Sequence, residues 1–213
     1  MKNNDIIQIF KEISKTIINH KEELTKLDQE IGDSDHGINL ARGFQVVKEK
    51  LKDLEGKEID VIIKTVALAL ISNVGGASGI LYGSFFQKMA PITKDKEAIH
   101  LSIYLEMLEA GVEAIKQRGR GDFGEKTMLD VLIPYVSYLR AHKEKRLTQL
   151  FSEATQEAWR HLEETKDRLA TKGRAAYLGE RSIGHVDPGA MSAFLMIETV
   201  DAYIQNNLDG EAL

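Results

Sequence analysis

The stretch LDQEIGDSDHGINLARGF, residues 27–44, joins two helical patterns through a short polar turn. Upstream, Ile6, Phe10, Ile13, Ile17, Leu24 and Leu27 recur at helical spacing and mark a first helix over roughly residues 3–27. Downstream, Leu40, Phe44, Val47, Leu51 and Leu54 mark a second over about 37–54. The turn between them crowds Asp28, Asp33 and Asp35, with His36 and Gly37 directly after. Carboxylates this close repel one another, so the crowding calls for a cation. The stretch therefore predicts a helical fold whose connections, rather than its helices, carry the chemistry.

Helical periodicity continues to the C-terminus. Residues 58–73 give a third helix, apolar on most sides and expected to be deeply buried. ASGILYGSFFQKMA gives a fourth, and Leu105, Leu108, Val112 and Ile115 a fifth. Met128, Val131, Leu132, Tyr135 and Leu139 give a sixth, bent at Pro134. Residues 147–169 form a seventh and 188–206 an eighth. No strand pattern, long linker, low-complexity run or internal repeat interrupts them. The expectation is an all-α fold, an eight-helix antiparallel up-and-down bundle forming a single domain over residues 1–213.

The connections fall into two classes by parity. DLEGKEI, PITKDKEA and AHKEKR, after the second, fourth and sixth helices, are charged solvent turns. EIGDSDHG, SNVGGASG, GRGDFGEKT and TKGRAAYLGERSIGHVDPG, after the odd helices, hold most of the glycine-rich and unusual residues. In an up-and-down bundle these four share one end with the N-termini of the second, fourth, sixth and eighth helices. Such N-termini carry partial positive charge and unpaired N–H groups, so their convergence predicts an anion site suited to phosphate.

Composition narrows the partners. A net charge of -5 with no Lys/Arg block argues against nucleic acid. The absence of cysteine excludes disulfides and thiolate chemistry. VALALIS is too short to span a bilayer, and the N-terminal run is charged throughout with no signal-peptide core, so no membrane association and a cytoplasmic location are expected.

Hard carboxylate oxygens suit Mg²⁺ together with substrate phosphates, making Asp28, Asp33 and Asp35 candidate ligands. An EF-hand does not fit: counted from Asp33, glycine stands fifth rather than sixth, and Phe44 replaces the twelfth-position Glu. Ordinary capping by Asp35 at the second helix is the competing reading. His36 and Asn39 open that helix toward a phosphate or ribose. Gly75, Gly76, Ala77 and Ser78 open the fourth, where glycines permit close approach and Ser78 can donate to a phosphate oxygen. GRGDFGEKT mimics a dinucleotide fingerprint and a P-loop but follows a helix instead of a strand and has Glu125 before Lys126; it reads as a glycine loop ending in Thr127 at an N-cap. Arg174, Arg181, His185 and Asp187 lie on a connection long enough to act as a lid, with Pro188 at the first position of the last helix. No spacing singles out a serine nucleophile or a glycosidase acid pair.

In LDQEIGDSDHGINLARGF, SNVGGASGILYGSFF, GEKTMLDVLIPY and KGRAAYLGERSIGHVDPGA the chain resembles the DhaL family, nucleotide-binding subunits of bacterial dihydroxyacetone kinase. The resemblance spans nearly the whole chain and implies an eight-helix barrel holding ADP (ATP when phosphorylated) and two Mg²⁺ ions at one end. By position, Asp28, Asp33 and Asp35 would bind the metal. His36, Gly37, Ile38, Asn39, Ala77 and Ser78 would contact the nucleotide, with Gly119 or Gly121 and Met128 beside its base or ribose. Arg174, with Lys172 as second choice, and Asp187, Pro188 and Gly189 would close the lid. The resemblance further implies a DhaM-type phosphoryl donor and a DhaK-type subunit carrying dihydroxyacetone and its activating base. Two other readings stay open: a subunit of an ATP-dependent kinase that exchanges nucleotide at each turnover, and a non-catalytic nucleotide sensor.

Overall fold

The computed structural model describes residues 1–208. Among these, nine α-helices and four short 3-10 segments account for the regular structure, and no strand occurs. The helices are α1 (Asn3–Asn19), α2 (Lys21–Ile31), α3 (His36–Lys50), α4 (Ile59–Asn73), α5 (Gly76–Met89), α6 (Leu101–Gly119), α7 (Leu129–Ala141), α8 (Leu147–Glu164) and α9 (Pro188–Asn207). Each from α3 onward packs on its neighbour in the chain; α1 packs on α3, and α9 returns to both α8 and α1. The ring closes around one apolar core, in which Ile17, Leu40, Phe44, Ile62, Leu70 and Phe151 are inaccessible to solvent. No helix among the described residues is long and apolar enough to cross a membrane.

The sequence expectation of one helix over 3–27 is corrected: the chain breaks at His20 into α1 and α2. Asn19 and His20 are weak helix formers, and His20 Nδ1 lies 2.8 Å from Thr16 O, competing for a carbonyl that the helix would use. The apolar stripe runs through the break, which hides it from periodicity. The seventh helix also stops early, at Glu164, where Thr165 Oγ1 turns back to Leu162 O at 2.7 Å and a 3-10 turn follows. The expected deep burial of residues 58–73 holds for one face only. Val61, Leu68 and Ile71 of α4 lie on the outer wall and are exposed. Pro134 lies inside α7, which continues through it to Ala141.

Two small residues set how closely the acidic turn is folded. A Cβ on Gly37 would run into the Lys21 carbonyl oxygen and the Thr25 amide of α2, and one on Gly32 into the Asp28 carboxylate. The first contact is with backbone, which has no rotamer to yield. Gly37→Ala should therefore destabilise the fold by about 1–3 kcal/mol, the usual penalty of overpacking, measurable by urea unfolding. An unchanged midpoint would show that α2 and α3 can separate freely.

Candidate functional site

The α2–α3, α4–α5, α6–α7 and α8–α9 connections meet around one cleft of about 950 Å³. Asp28, Asp33, Asp35, His36, Asn39, Ala77, Ser78, Gly119, Gly121, Met128, Arg174, Asp187, Pro188 and Gly189 all line it, so segments scattered through the sequence are brought to one end. Gly37 and Ile38 do not: Gly37 is buried against α2, and the Ile38 side chain is 46% exposed outside the lining.

Asp28 is buried in the last turn of α2. Its Oδ2 accepts the backbone N–H groups of Asp35 (2.8 Å) and His36 (3.1 Å), which folds the turn back on its own helix. Asp28, Asp33 and Asp35 then each offer an oxygen within 4.8 Å of the others. Asp35 occupies the N-cap position of α3, yet its side chain makes no capping bond, so the capping reading does not account for it. Partial burial, then the neighbouring Asp33 carboxylate, push the Asp35 carboxyl above its usual range. An all-oxygen set of three crowded acids fits a hard divalent cation such as Mg²⁺.

The first turn of α5, which lines the same cleft, carries no side-chain cap. Gly76, at φ +67, sets the entry to that turn, a backbone conformation glycine adopts without strain. The other N-termini are partly satisfied from within. Asp187 accepts the Ala190 N–H of α9 at 2.7 Å, and Thr127 Oγ1 accepts the Leu129 N–H of α7 at 3.1 Å. Of the helix tips converging on the cleft, α5 thus offers its backbone donors most freely. Asn39 is held by Arg42 at 2.8 Å, and a Cβ on Gly75 would crowd the Asn39 amide.

The α6–α7 loop and the long α8–α9 connection are clamped together by residues that sequence reasoning passed over. Lys126 is almost wholly buried and donates to Ser182 O (2.5 Å) and Arg168 O (3.2 Å). Burial draws its ammonium below the ordinary lysine range. Asp130, fully buried, accepts the N–H groups of Gly124 (2.9 Å) and Thr127 (2.7 Å) and an ion pair from Arg168. Arg168 in turn covers the Phe123 ring at 4.4 Å. From the connection so anchored, Arg174 reaches Asp33 at 2.8 Å, whereas Lys172 turns to Glu125 at 3.6 Å. The only sequence signal for Lys126 was its place in the imperfect P-loop.

The DAK2 domain matches residues 30–202. The chain is 46% identical over 181 residues to the ADP-binding subunit DhaL of a PEP-dependent dihydroxyacetone kinase from Listeria innocua, covering 85% of this chain and 86% of that one. It is 44% identical over 179 residues to the corresponding Escherichia coli subunit, covering 83% and 85%. The dihydroxyacetone kinase of C. freundii, solved with AMP-PNP and Mg²⁺, superposes with a TM-score of 0.73 at 22% identity, over 95% of this chain and 34% of that one; at that identity the likeness concerns the fold.

Asp187 generates a pH prediction. Burial pushes its carboxyl up to about 7, against an ordinary 3.8. The folded state then holds a proton that the unfolded state has released, so this contribution to stability is complete below about 4 and is lost as pH rises through about 7. Asp187→Asn keeps a cap oxygen for Ala190 and removes the titration. In metal- and nucleotide-free protein, the stability of the wild type relative to Asp187→Asn should fall on the order of a few kcal/mol across that window. Parallel pH profiles from urea unfolding would contradict the assignment.

Proposed function

The chain belongs to the DAK2 domain family, and on that premise we propose that it is the nucleotide-carrying subunit of a phosphoenolpyruvate-dependent dihydroxyacetone kinase. In this reading it relays a phosphoryl group from a phosphohistidine of a DhaM-type partner to dihydroxyacetone held on a DhaK-type subunit, with resident ADP as the carrier. The observation that carries it is the meeting of Asp28, Asp33 and Asp35 with the uncapped N-terminus of α5 across one cleft. Identity to subunits named for ADP binding in PEP-dependent kinases supports the donor and the acceptor class.

Phosphoryl transfer asks a protein for positioning and charge neutralisation more than for a covalent nucleophile. Asp28, Asp33 and Asp35 would hold Mg²⁺, two ions in the full reading, which neutralises phosphate charge when bound. The α5 N–H groups supply fixed donors in a partly enclosed site. Arg174, beside Asp33, and the Asp187 cap of α9 line the same cleft, where they can cover a bound diphosphate. The site's acids are taken up by metal binding and capping, which suits a division of labour in which the base that activates the acceptor hydroxyl belongs to the DhaK-type subunit.

The direct test is the nucleotide that copurifies. Denaturation of the protein should release ADP at about one equivalent, and sugar phosphate should form with phosphoenolpyruvate and the partner proteins but not with ATP alone. Turnover with ATP alone would favour the exchanging kinase, and no sugar phosphate from either donor would favour a sensor. Asp33→Asn should lower Mg²⁺–ADP retention roughly tenfold or more, the effect of losing about 1.4 kcal/mol, and phosphotransfer with it. Full retention and activity in that variant would remove the acidic cluster from the mechanism.

A further inference from the structure

His36 is held on both sides of its ring by other helices. Nδ1 lies 3.1 Å from Ser78 Oγ in the first turn of α5, and Nε2 lies 3.0 Å from Ser192 Oγ on α9. Behind Ser192, the Tyr82 hydroxyl of α5 approaches its oxygen to 2.7 Å. Ser192 also lies 3.0 Å from Gly189 O, and Tyr82 lies 3.3 Å from that same carbonyl. Tyr82, Ser192 and His36 are buried, and Ser78, half-buried, lines the cleft beside His36. The backbone N–H of His36 is spent on Asp28. Neither ring nitrogen is therefore free to meet a ligand directly.

Counting hydrogens assigns the tautomer. A carbonyl oxygen only accepts, and a serine hydroxyl has one hydrogen and two lone pairs. If Ser192 gives its hydrogen to Gly189 O, its two lone pairs accept from Tyr82 O–H and from His36 Nε2–H, and all three short contacts contain a hydrogen. The other tautomer turns the Ser192 hydrogen to Nε2 and leaves two oxygens facing each other at 3.0 Å with none between them. The ring's neighbours are the Ser78 and Ser192 hydroxyls and the Pro188 carbonyl, with no carboxylate bonded to either nitrogen, and hydroxyls on both sides can serve a neutral imidazole. With hydrogen on Nε2, Nδ1 is a lone pair, and the Ser78 hydroxyl must point its hydrogen at it.

We propose that Ser192 and Tyr82 are positioning residues that fix His36 with hydrogen on Nε2, so that His36 Nδ1 holds the Ser78 hydroxyl hydrogen and turns the Ser78 oxygen lone pairs to the cleft. Ser78 Oγ then serves as an acceptor, for a hydrated Mg²⁺ ion or a ligand hydroxyl, while the α5 backbone N–H groups serve phosphate oxygens. The role of Ser78 rests on the Mg²⁺–nucleotide reading above; the tautomer does not.

The tautomer is read by long-range ¹H–¹⁵N correlation on full-length protein labelled with ¹⁵N-histidine, with His36→Gln locating the signal. Ligand-free protein should show His36 neutral and protonated at Nε2, and addition of Mg²⁺ and ADP should leave it so. Ser192→Ala should yield a mixture of tautomers and raise the Mg²⁺ concentration needed for half-maximal ADP retention roughly tenfold, as loss of an outer partner of a metal site does. Ser192→Thr, which keeps the hydroxyl, should restore both. Hydrogen on Nδ1 in the free wild type, or a switch to Nδ1 on adding Mg²⁺ and ADP, overturns the proposal, as does an unchanged tautomer and Mg²⁺ requirement in Ser192→Ala. The wild-type spectra decide the matter even if Ser192→Ala fails to fold. Hydrogen on Nε2 in protein that binds no Mg²⁺–ADP would sink the function and leave the positioning of His36 standing, so the two failures are distinguishable.

Discussion

The Asp28 carboxylate accepting two successive backbone N–H groups at the entrance of α3 is the constraint on which the site depends. It makes the end of α2 and the start of α3 one unit, because a buried carboxylate is costly unless its oxygens are satisfied. The glycine pattern follows from it. Gly32 must lack a side chain for the Asp28 carboxylate to lie over the turn, and Gly37 must lack one for α3 to approach the backbone of α2. Ser34 takes φ +64 between them, so the chain reverses within four residues and delivers Asp33 and Asp35 beside Asp28.

Most of the fold was legible because the helices bury one stripe against a common core, and a stripe repeats in sequence. The exceptions share a cause: periodicity reports which face is apolar but not where the backbone pauses or what covers the face. Ile17 and Leu24 keep step across the break at His20 because a one-residue pause scarcely rotates the stripe. The residues of α4 read as deeply buried because outward-facing Val61, Leu68 and Ile71 are as apolar as the inward set. The end of α8 at Glu164 was missed because Leu169 prolongs the pattern, whereas the hydroxyl of Thr165, bonded to Leu162 O, ends it.

For the site, loop chemistry and parity were enough to bring four connections together, since alternate connections of an antiparallel bundle share an end. What the sequence withheld are contacts with no local spacing. Lys126 finds its carbonyls 42 and 56 residues away, and His36 meets Ser192 at a separation of 156. Of the helix tips read as anion donors, α9 is capped by Asp187, and α7 has Met128 rather than the expected Thr127 at its N-cap, with Thr127 Oγ1 accepting the Leu129 N–H, which transfers the weight to α5. Lys172 and Arg174 both line the cleft, and the folded loop turns them to different carboxylates, Glu125 and Asp33, which no local spacing foretells.

That loop separates anchoring from reach. Its anchors are buried: Lys126 on two carbonyls, Asp130 on Arg168, and Thr165 Oγ1, which accepts the Asp187 N–H at 3.2 Å. Breaking a buried, hydrogen-bonded charge is expensive, so these contacts fix where the connection lies. The Arg174–Asp33 pair differs in kind. Arg174 is 70% exposed, and an exposed ion pair contributes about 0–1 kcal/mol. Arg174 is thus kept within range of the acidic cluster by a frame that does not depend on its own contact. A guanidinium so placed can exchange a carboxylate for a phosphate at little cost, since each offers a pair of oxygens that can accept two parallel N–H bonds. The rigid part of the connection sets the distance, and the weak ion pair leaves the charge free to respond to what the cleft holds.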